Sequence, residues 1–288
     1  MRIRKKYIKI FAALVILISL ITGCSNSPSS ENTNKIENKN VMKVNYIDVG
    51  QGDSILVQVN GKNLLIDAGP NDSTDKLISY LNKQNIKKLD YVVATHPHED
   101  HIGGMDVVIK KYEIGQFYAP KKTANTKTFE SMITALKSKN LKINSAKAGI
   151  NLDLGENTKC EILAPNSTNY EDVNNYSAVI KITYGDSKFL FTGDAEKLSE
   201  KEILSKNYDI RSDVLKVGHH GSSTSSSKAF LDKVSPKIAV ISLGKNNDYG
   251  HPHKETTAEL KKRNIQTYRT DIDGSVVLIS DGKKVTKQ

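Results

Sequence analysis

Cysteine is nearly absent from this 288-residue chain, which has only Cys24 and Cys160. Cys24 sits at the end of a leader-like segment, so Cys160 is alone in the body of the chain and no disulfide is expected there. Cys160 stands in KCEILAP, an alternating apolar run, and reads as a small buried hydrophobe. With no second thiol nearby in sequence, a thiolate metal site is not expected either. Apolar length is also short. Ile10–Ile21 (IFAALVILISLI) gives about 12 residues, where a membrane-spanning helix needs ~20. Arginine is scarce beside lysine, which leaves little capacity for bidentate reading of bases. Tyrosine is frequent, at 12 residues, but forms no aromatic–basic stripe, and no nucleic-acid-binding module is recognisable.

The short apolar run has the length of a signal-peptide core. It follows Arg2, Arg4, Lys5, Lys6 and Lys9 with no acid among them, and it ends in Ile21-Thr22-Gly23-Cys24. That tetrapeptide resembles the bacterial lipobox, in which the cysteine is lipidated. Residues 1–23 are therefore expected to be a lipoprotein signal peptide, with Cys24 as the lipidation site. The next stretch, SNSPSSENTNKIENKN (25–40), has almost nothing to bury, so residues 24–40 read as a lipidated cysteine and flexible tether. The expected location is extracytoplasmic, on the bacterial cell membrane. Setting the leader's five basic residues aside from 42 leaves 37 against 32 acids, a net of +5. That charge suits an anionic substrate or surface without identifying one.

Histidine is sparse but concentrated. All seven fall in three clusters: His96, His98 and His101 in THPHEDHIGG, His219 and His220 in GHHGS, and His251 and His253 in YGHPH. Histidine is the commonest side-chain metal ligand and general acid–base, so the clustering points to one composite site. Residues 41–288 read as a single α/β domain. Strands are predicted at Met42–Asp48, Ser54–Val59, Asn63–Asp67 and Leu89–Thr95, with helices at Thr74–Asn85, Gly104–Lys111 and Thr128–Lys139. Further along come a strand at Thr158–Ala164, a hairpin at Ala178–Tyr184 and Lys188–Thr192, and helices at Lys197–Lys206 and Lys254–Lys262. Strands at Asp213–Val217 and Lys237–Leu243 and a terminal strand pair, Ile265–Arg269 with Ser275–Ile279, complete the pattern. Each cluster, and Asp194 in FTGD, follows a predicted strand, where sites are usually built.

In THPHEDH, alternate residues of an extended loop point the same way, so His96 and His98 grip one ion, while Asp100 and His101 turn towards a second. Gly103-Gly104 allows a bend and a close approach. Mixed imidazole and carboxylate donors suit Zn²⁺, with Mn²⁺ or Fe²⁺ also accepted. HPHEDH resembles the H-x-H-x-D-H signature of the metallo-β-lactamase superfamily, and LLIDAG with Asp67, FTGD with Asp194, and His251 match its other elements in order. The resemblance implies an αββα four-layer sandwich with a metal site at its edge. YIDVGQGDS (46–54), DVLKVGHHGS (213–222) and GHP (250–252) add a resemblance to the hydrolase domain of ComEC-type competence proteins and to surface phosphorylcholine esterases. No polytopic channel is seen, so a DNA-uptake pore is not expected.

No histidine lies between His101 and Asp194, so the mid-chain ligand of the lactamase branch is missing and GHHGS is expected to replace it. The expected first site is His96, His98, Asp194 and either His219 or His220. The expected second is Asp100, His101, Asp194 and His251, with His253 supporting from outside. Asp100 is expected to orient the reacting water, and His220 to act as an acid or transition-state donor if His219 ligates. Lys216, Ser222 and Asn175 are candidate contacts for substrate phosphate. Asp48, Gln51 and Asp53 read as structural supports of the site's edge. The resulting expectation is a membrane-anchored metallo-hydrolase. It would be a phosphodiesterase or nuclease using two divalent ions and metal-bound hydroxide on a phosphodiester, DNA or a choline-phosphate surface polymer. No protein partner is evident. An ester, thioester or lactam hydrolase and a non-catalytic metal-binding lipoprotein are the competing readings.

Overall fold

Strands of alternating apolar character must hide one face, and strands apolar on both faces must hide two. The computed structural model, which describes residues 41–288, meets both needs with two sheets packed face to face and helices outside each. The expected leader, Cys24 and the tether lie outside the described residues. The first sheet runs β15-β14-β1-β2-β3-β4-β5-β6 and the second β13-β12-β11-β10-β9-β8-β7. In the first, β1 is Met42–Tyr46, β2 Ile55–Val59, β3 Lys62–Ile66, β4 Lys88–Val93, β5 Glu113–Ala119 and β6 Ile143–Ser145, with β14 at Val276–Ser280 and β15 at Val285–Lys287. In the second, β7 is Asn151–Leu152, β8 Thr158–Ala164, β9 Val179–Tyr184, β10 Ser187–Phe191, β11 Val214–Lys216, β12 Ile238–Ile241 and β13 Gln266–Arg269.

Side-chain alternation sorts the core. Leu64 and Ile66 of β3 face the opposite sheet with Phe189 and Phe191 of β10. Leu65, between them in sequence, faces the helices α1 (Thr74–Lys83), α2 (Met105–Lys111) and α3 (Lys127–Ser138). Leu190 likewise faces α4 (Lys197–Ser205), α5 (Lys228–Val234) and α6 (Lys254–Lys262) on the other outer layer. Cys160 is buried between the sheets, and burial pushes its thiol pKa up, so it packs as a hydrophobe. No helix of the described residues is long and apolar enough to cross a membrane.

Each sheet changes from antiparallel to parallel pairing once. The change falls at β3/β4 in the first sheet and at β10/β11 in the second. The loops bearing the candidate ligands leave the sheets beside these two changes, so the site forms along one edge of the sandwich. The expected terminal strand pair does not form. β13 closes the second sheet parallel to β12, whereas β14 crosses to the first and pairs antiparallel with β1. The free edge of β1 takes β14, burying Val276 and Leu278 between the sheets. Sequence reading also assigns nothing to Lys228–Val234, a helix whose start is capped by Ser227 Oγ accepting from Phe230 N at 3.4 Å.

Candidate metal centre

The loop after β4 begins with Thr95, and Asp67 at the end of β3 fastens it. Asp67 Oδ1 accepts from Thr95 N at 2.7 Å, and Asp67 Oδ2 accepts from Thr95 Oγ1 at 2.7 Å. The same Oδ2 lies 2.8 Å from His101 Nδ1, which holds the other ring nitrogen, Nε2, towards the site. Gly103 is needed for closeness: a Cβ there would sit 2.2 Å from Asn71 N. Ser177, unnoticed in the sequence, works from the second sheet. Its Oγ lies 3.3 Å from His96 Nδ1 and accepts from Asp194 N at 3.1 Å, joining the two halves of the site.

GHHG forms a sharp turn after β11. His219 and His220 both adopt left-handed backbone, with φ of 49° and 50°, which is strained for residues with a side chain. Gly221, at φ +86°, packs against Pro252, where a Cβ would approach to 2.6 Å. The turn leaves His219 Nε2 3.7 Å and His220 Nε2 3.5 Å from Asp194 Oδ2. His220 is buried, and its Nδ1 donates to Ser242 O at 2.9 Å, freeing Nε2 as a donor to an ion.

Asp194 Oδ2 is the hub. His101 Nε2 lies 3.3 Å away and His96 Nε2 3.8 Å away. His98 Nδ1 stands 3.0 Å from His96 Nε2. On the other side, Asp100 Oδ2 is 3.1 Å from His220 Nε2 and 3.7 Å from His101 Nε2. Ligand atoms of Asp100, His101, Asp194 and His220 all lie within 4.8 Å of one another. His220, expected as a catalytic donor, is thus the imidazole that joins Asp100 and His101. His251, expected in that role, stays outside the four-atom group, with its ring centre 6.2 Å from that of His220. His253 lies farther out, with Nδ1 accepting from Ser223 N at 3.0 Å.

Charge inside the cluster is tightly balanced. Burial alone would raise the Asp194 pKa, but His101 and His220 hold it well below the usual carboxylate range. Burial would lower the His101 pKa, yet Asp194, Asp100 and Asp67 hold it well above its ordinary value. Asp194 and the hydrogen bonds to Asp100, Asp194 and Asp53 raise His220 against burial in the same way. His96, buried beside positive His101, is held well below its ordinary value. Asp194 Oδ1 and His101 Nε2 are buried without a hydrogen-bond partner. Unpaired buried donors and acceptors are costly, and both belong to residues of the four-member nitrogen–oxygen donor set. The residues therefore fit divalent cations.

The three expected substrate contacts are elsewhere. Lys216 is fully buried, with Nζ 2.7 Å from Asp53 Oδ2 and donating to Val217 O, so it does not reach a substrate. Asn175 Oδ1 accepts from Ser199 N at the start of α4. Ser222 Oγ is buried and paired with Thr224 Oγ1 at 3.0 Å. A cleft of about 610 Å³ opens over the cluster instead, lined by Gln51, Thr123, Thr126 and Tyr249 among others. Gln51, read as a support, does both jobs, since its Oε1 also accepts from Gly244 N at 3.1 Å.

The two-sheet sandwich and the histidine–aspartate edge define a metallo-hydrolase fold. The chain matches the Metallo-beta-lactamase superfamily over residues 47–245 and belongs to it. Among its relatives, ComE operon protein 3 of Bacillus subtilis is 33% identical over 252 residues, 81% of this chain and 32% of that protein. This chain thus spans about a third of the length of that relative. Exodeoxyribonuclease WalJ of Streptococcus pneumoniae is 37% identical over 83 residues, 28% of each chain. Among solved structures, the metallo-β-lactamase fold protein YhfI from Bacillus subtilis aligns with a TM-score of 0.55 at 16% identity, covering 86% of this chain and all of that one. At that identity the likeness speaks for the fold alone.

Proposed function

We propose that this protein is a metal-dependent phosphodiesterase or nuclease working with two divalent ions, preferably Zn²⁺, held outside the cell membrane by a lipid on Cys24. One observation carries the reading: four imidazole Nε2 atoms, from His96, His101, His219 and His220, surround one oxygen of Asp194 within 3.8 Å. A carboxylate with ligands on both sides is the arrangement that lets two ions share it.

In this assignment His96, His98 and His219 would hold one ion, Asp100, His101 and His220 would hold the other, and Asp194 would serve both. Bound ions supply the Lewis acidity and activated water that displacement at phosphorus requires. Asp100, buried against His220 but open to the cleft, orients the attacking water. The loops of His98 and His251 both line the cleft through which substrate would reach the cluster. The likeness to a protein named as an exodeoxyribonuclease supports a phosphodiester substrate, and DNA and choline-phosphate polymers are the two candidates. Anchoring rests on the leader and Cys24.

The test is metal content together with bis-p-nitrophenyl phosphate hydrolysis on the full chain, beside His98→Ala. About two ions per chain and activity lost in the variant are expected. Metal bound without hydrolysis of this diester, but with hydrolysis of a carboxylic ester or lactam, would move the assignment to the other hydrolases of the fold.

A further inference from the structure

Tyr249 is 67% exposed, one of the few large apolar side chains of the described residues left in solvent, and it lines the cleft over the metal centre. The other exposed large hydrophobics, Ile143, Leu198 and Ile272, are not part of that lining. Its ring lies parallel to His251, with centroids 5.6 Å apart and an interplanar angle of 18°. The imidazole thus flanks the tyrosine in a near-parallel, offset arrangement, and most of the phenol ring stays open to solvent. His251 is in turn 5.6 Å from the His219 ring. The tyrosine thus stands one imidazole away from the cluster that would hold a phosphate.

The loop that presents Tyr249 is tied down. Asn247 Nδ2 donates to Gly244 O at 3.0 Å and to His251 O at 2.7 Å, and Asn247 Oδ1 accepts from His251 N at 3.0 Å. A loop already held in place gives up little backbone freedom on binding.

Resting on the phosphodiesterase reading, we propose that Tyr249, beside His251, is the stacking platform for an unpaired nucleobase next to the scissile phosphate, which makes it the residue that selects single-stranded nucleic acid. A nucleotide separates base from phosphate by one sugar, matching the one-ring spacing between Tyr249 and the cluster. Any base offers a flat face, so such a platform is tolerant of sequence. A base inside a duplex has both faces covered by its neighbours and does not fit. A quaternary ammonium fits less well, because its recognition uses a cage of several aromatic rings. Among the described residues lining the cleft, Tyr249 is alone among Phe, Tyr and Trp. Glu99, an acid of the lining outside the cluster, is already engaged by Asn71 N and Nδ2 through its Oε1.

The experiment is equilibrium binding of a labelled, cleavage-resistant phosphorothioate oligothymidylate to the metal-loaded full chain, with an abasic strand of equal length as control. Tyr249→Ala is expected to weaken oligothymidylate binding about 5- to 150-fold, the range for losing one base–aromatic stack. Tyr249→Phe should retain most of the affinity. The abasic strand should bind the parent chain weakly and be indifferent to Tyr249→Ala. Equal losses for both strands, or no loss for either, would overturn the proposal. Tyr249-dependent competition by phosphorylcholine would overturn it in favour of a quaternary ammonium ligand. No binding of oligothymidylate by the parent chain would overturn it as well. Hydrolysis of bis-p-nitrophenyl phosphate, measured separately, tests the catalytic reading: base-dependent binding without hydrolysis would keep the platform and remove the activity.

Discussion

Lys216 Nζ lies 2.7 Å from Asp53 Oδ2, with both side chains buried, at the junction of the two sheets behind His220. Burial would raise the Asp53 pKa, but the lysine holds it below its ordinary value. Asp53 Oδ1 then stands 3.4 Å from His220 Nδ1. Lys216→Met leaves that carboxylate buried and uncompensated, a change that costs about 3–5 kcal/mol. The melting temperature is expected to fall on the order of 10 °C for a domain of this size. A melt within a degree or two of the parent would show that the pair contributes nothing.

In the proposed assignment the GHH turn would divide two ions. His220→Ala is expected to remove the ion shared with Asp100 and His101, and His219→Ala the ion shared with His96 and His98. Asp194→Ala should remove both. Metal content by elemental analysis decides it: one ion per chain in each histidine variant supports the assignment. Two ions in His219→Ala would restore the arrangement expected from sequence, with His220 beside His96 and His98 and with His251 beside Asp100 and His101.

Asp67 acts through His101. Asp67→Asn keeps the shape but weakens the 2.8 Å contact to His101 Nδ1. Metal affinity is expected to drop roughly 10- to 100-fold, the usual effect of losing a partner behind a ligand. Titration against a chromophoric chelator measures it, and an unchanged affinity would count against the role.

Protons take the place of metal in the stripped chain. His101 and His220 are held well above their ordinary pKa by neighbouring carboxylates, while Asp194 stays ionised. For a base raised in the folded state, the stabilisation is present below its unfolded value of about 6.5 and is lost as pH rises through the folded value. The stripped chain should therefore lose stability from neutral towards alkaline pH. Metal competes with the same protons, so affinity should climb with pH, and uptake near neutrality should release about two protons per chain. Calorimetry in buffers of different ionisation heat counts them; affinity independent of pH would refute the scheme.

Cys24→Ser should abolish lipid attachment and leave the chain unprocessed or released from the membrane fraction. Fractionation with metabolic fatty-acid labelling reads both, and unaltered membrane association without label would remove the anchor.

Much of the fold was legible because its signals are local. The unbroken apolar runs in NLLID and FLF mark strands buried on both faces, and Asn60-Gly61 is a favoured turn pair between β2 and β3. The helix at Lys254–Lys262 was read to the residue, and so was the strand at Thr158–Ala164. Pairing across distance was not legible. Nothing in Ser275–Ile279 says that its partner is β1, more than two hundred residues earlier, rather than β13 beside it.

The candidate site divides in the same way. Sequence alone determined the donor types and their placement at strand ends, since histidine and aspartate chemistry and strand patterning are properties of short segments. Only the tertiary structure decided how the donors combine. Two consecutive left-handed residues bring both GHH imidazoles to Asp194, an arrangement local propensity disfavours, and the turn ends at Gly221 close against Pro252. Lys216 was read as a substrate contact because it flanks the GHH cluster, with a solvated strand-end lysine as the alternative. Its burial depends on Asp53 arriving from the other sheet, and a charge paired across that distance is decided by the folded whole.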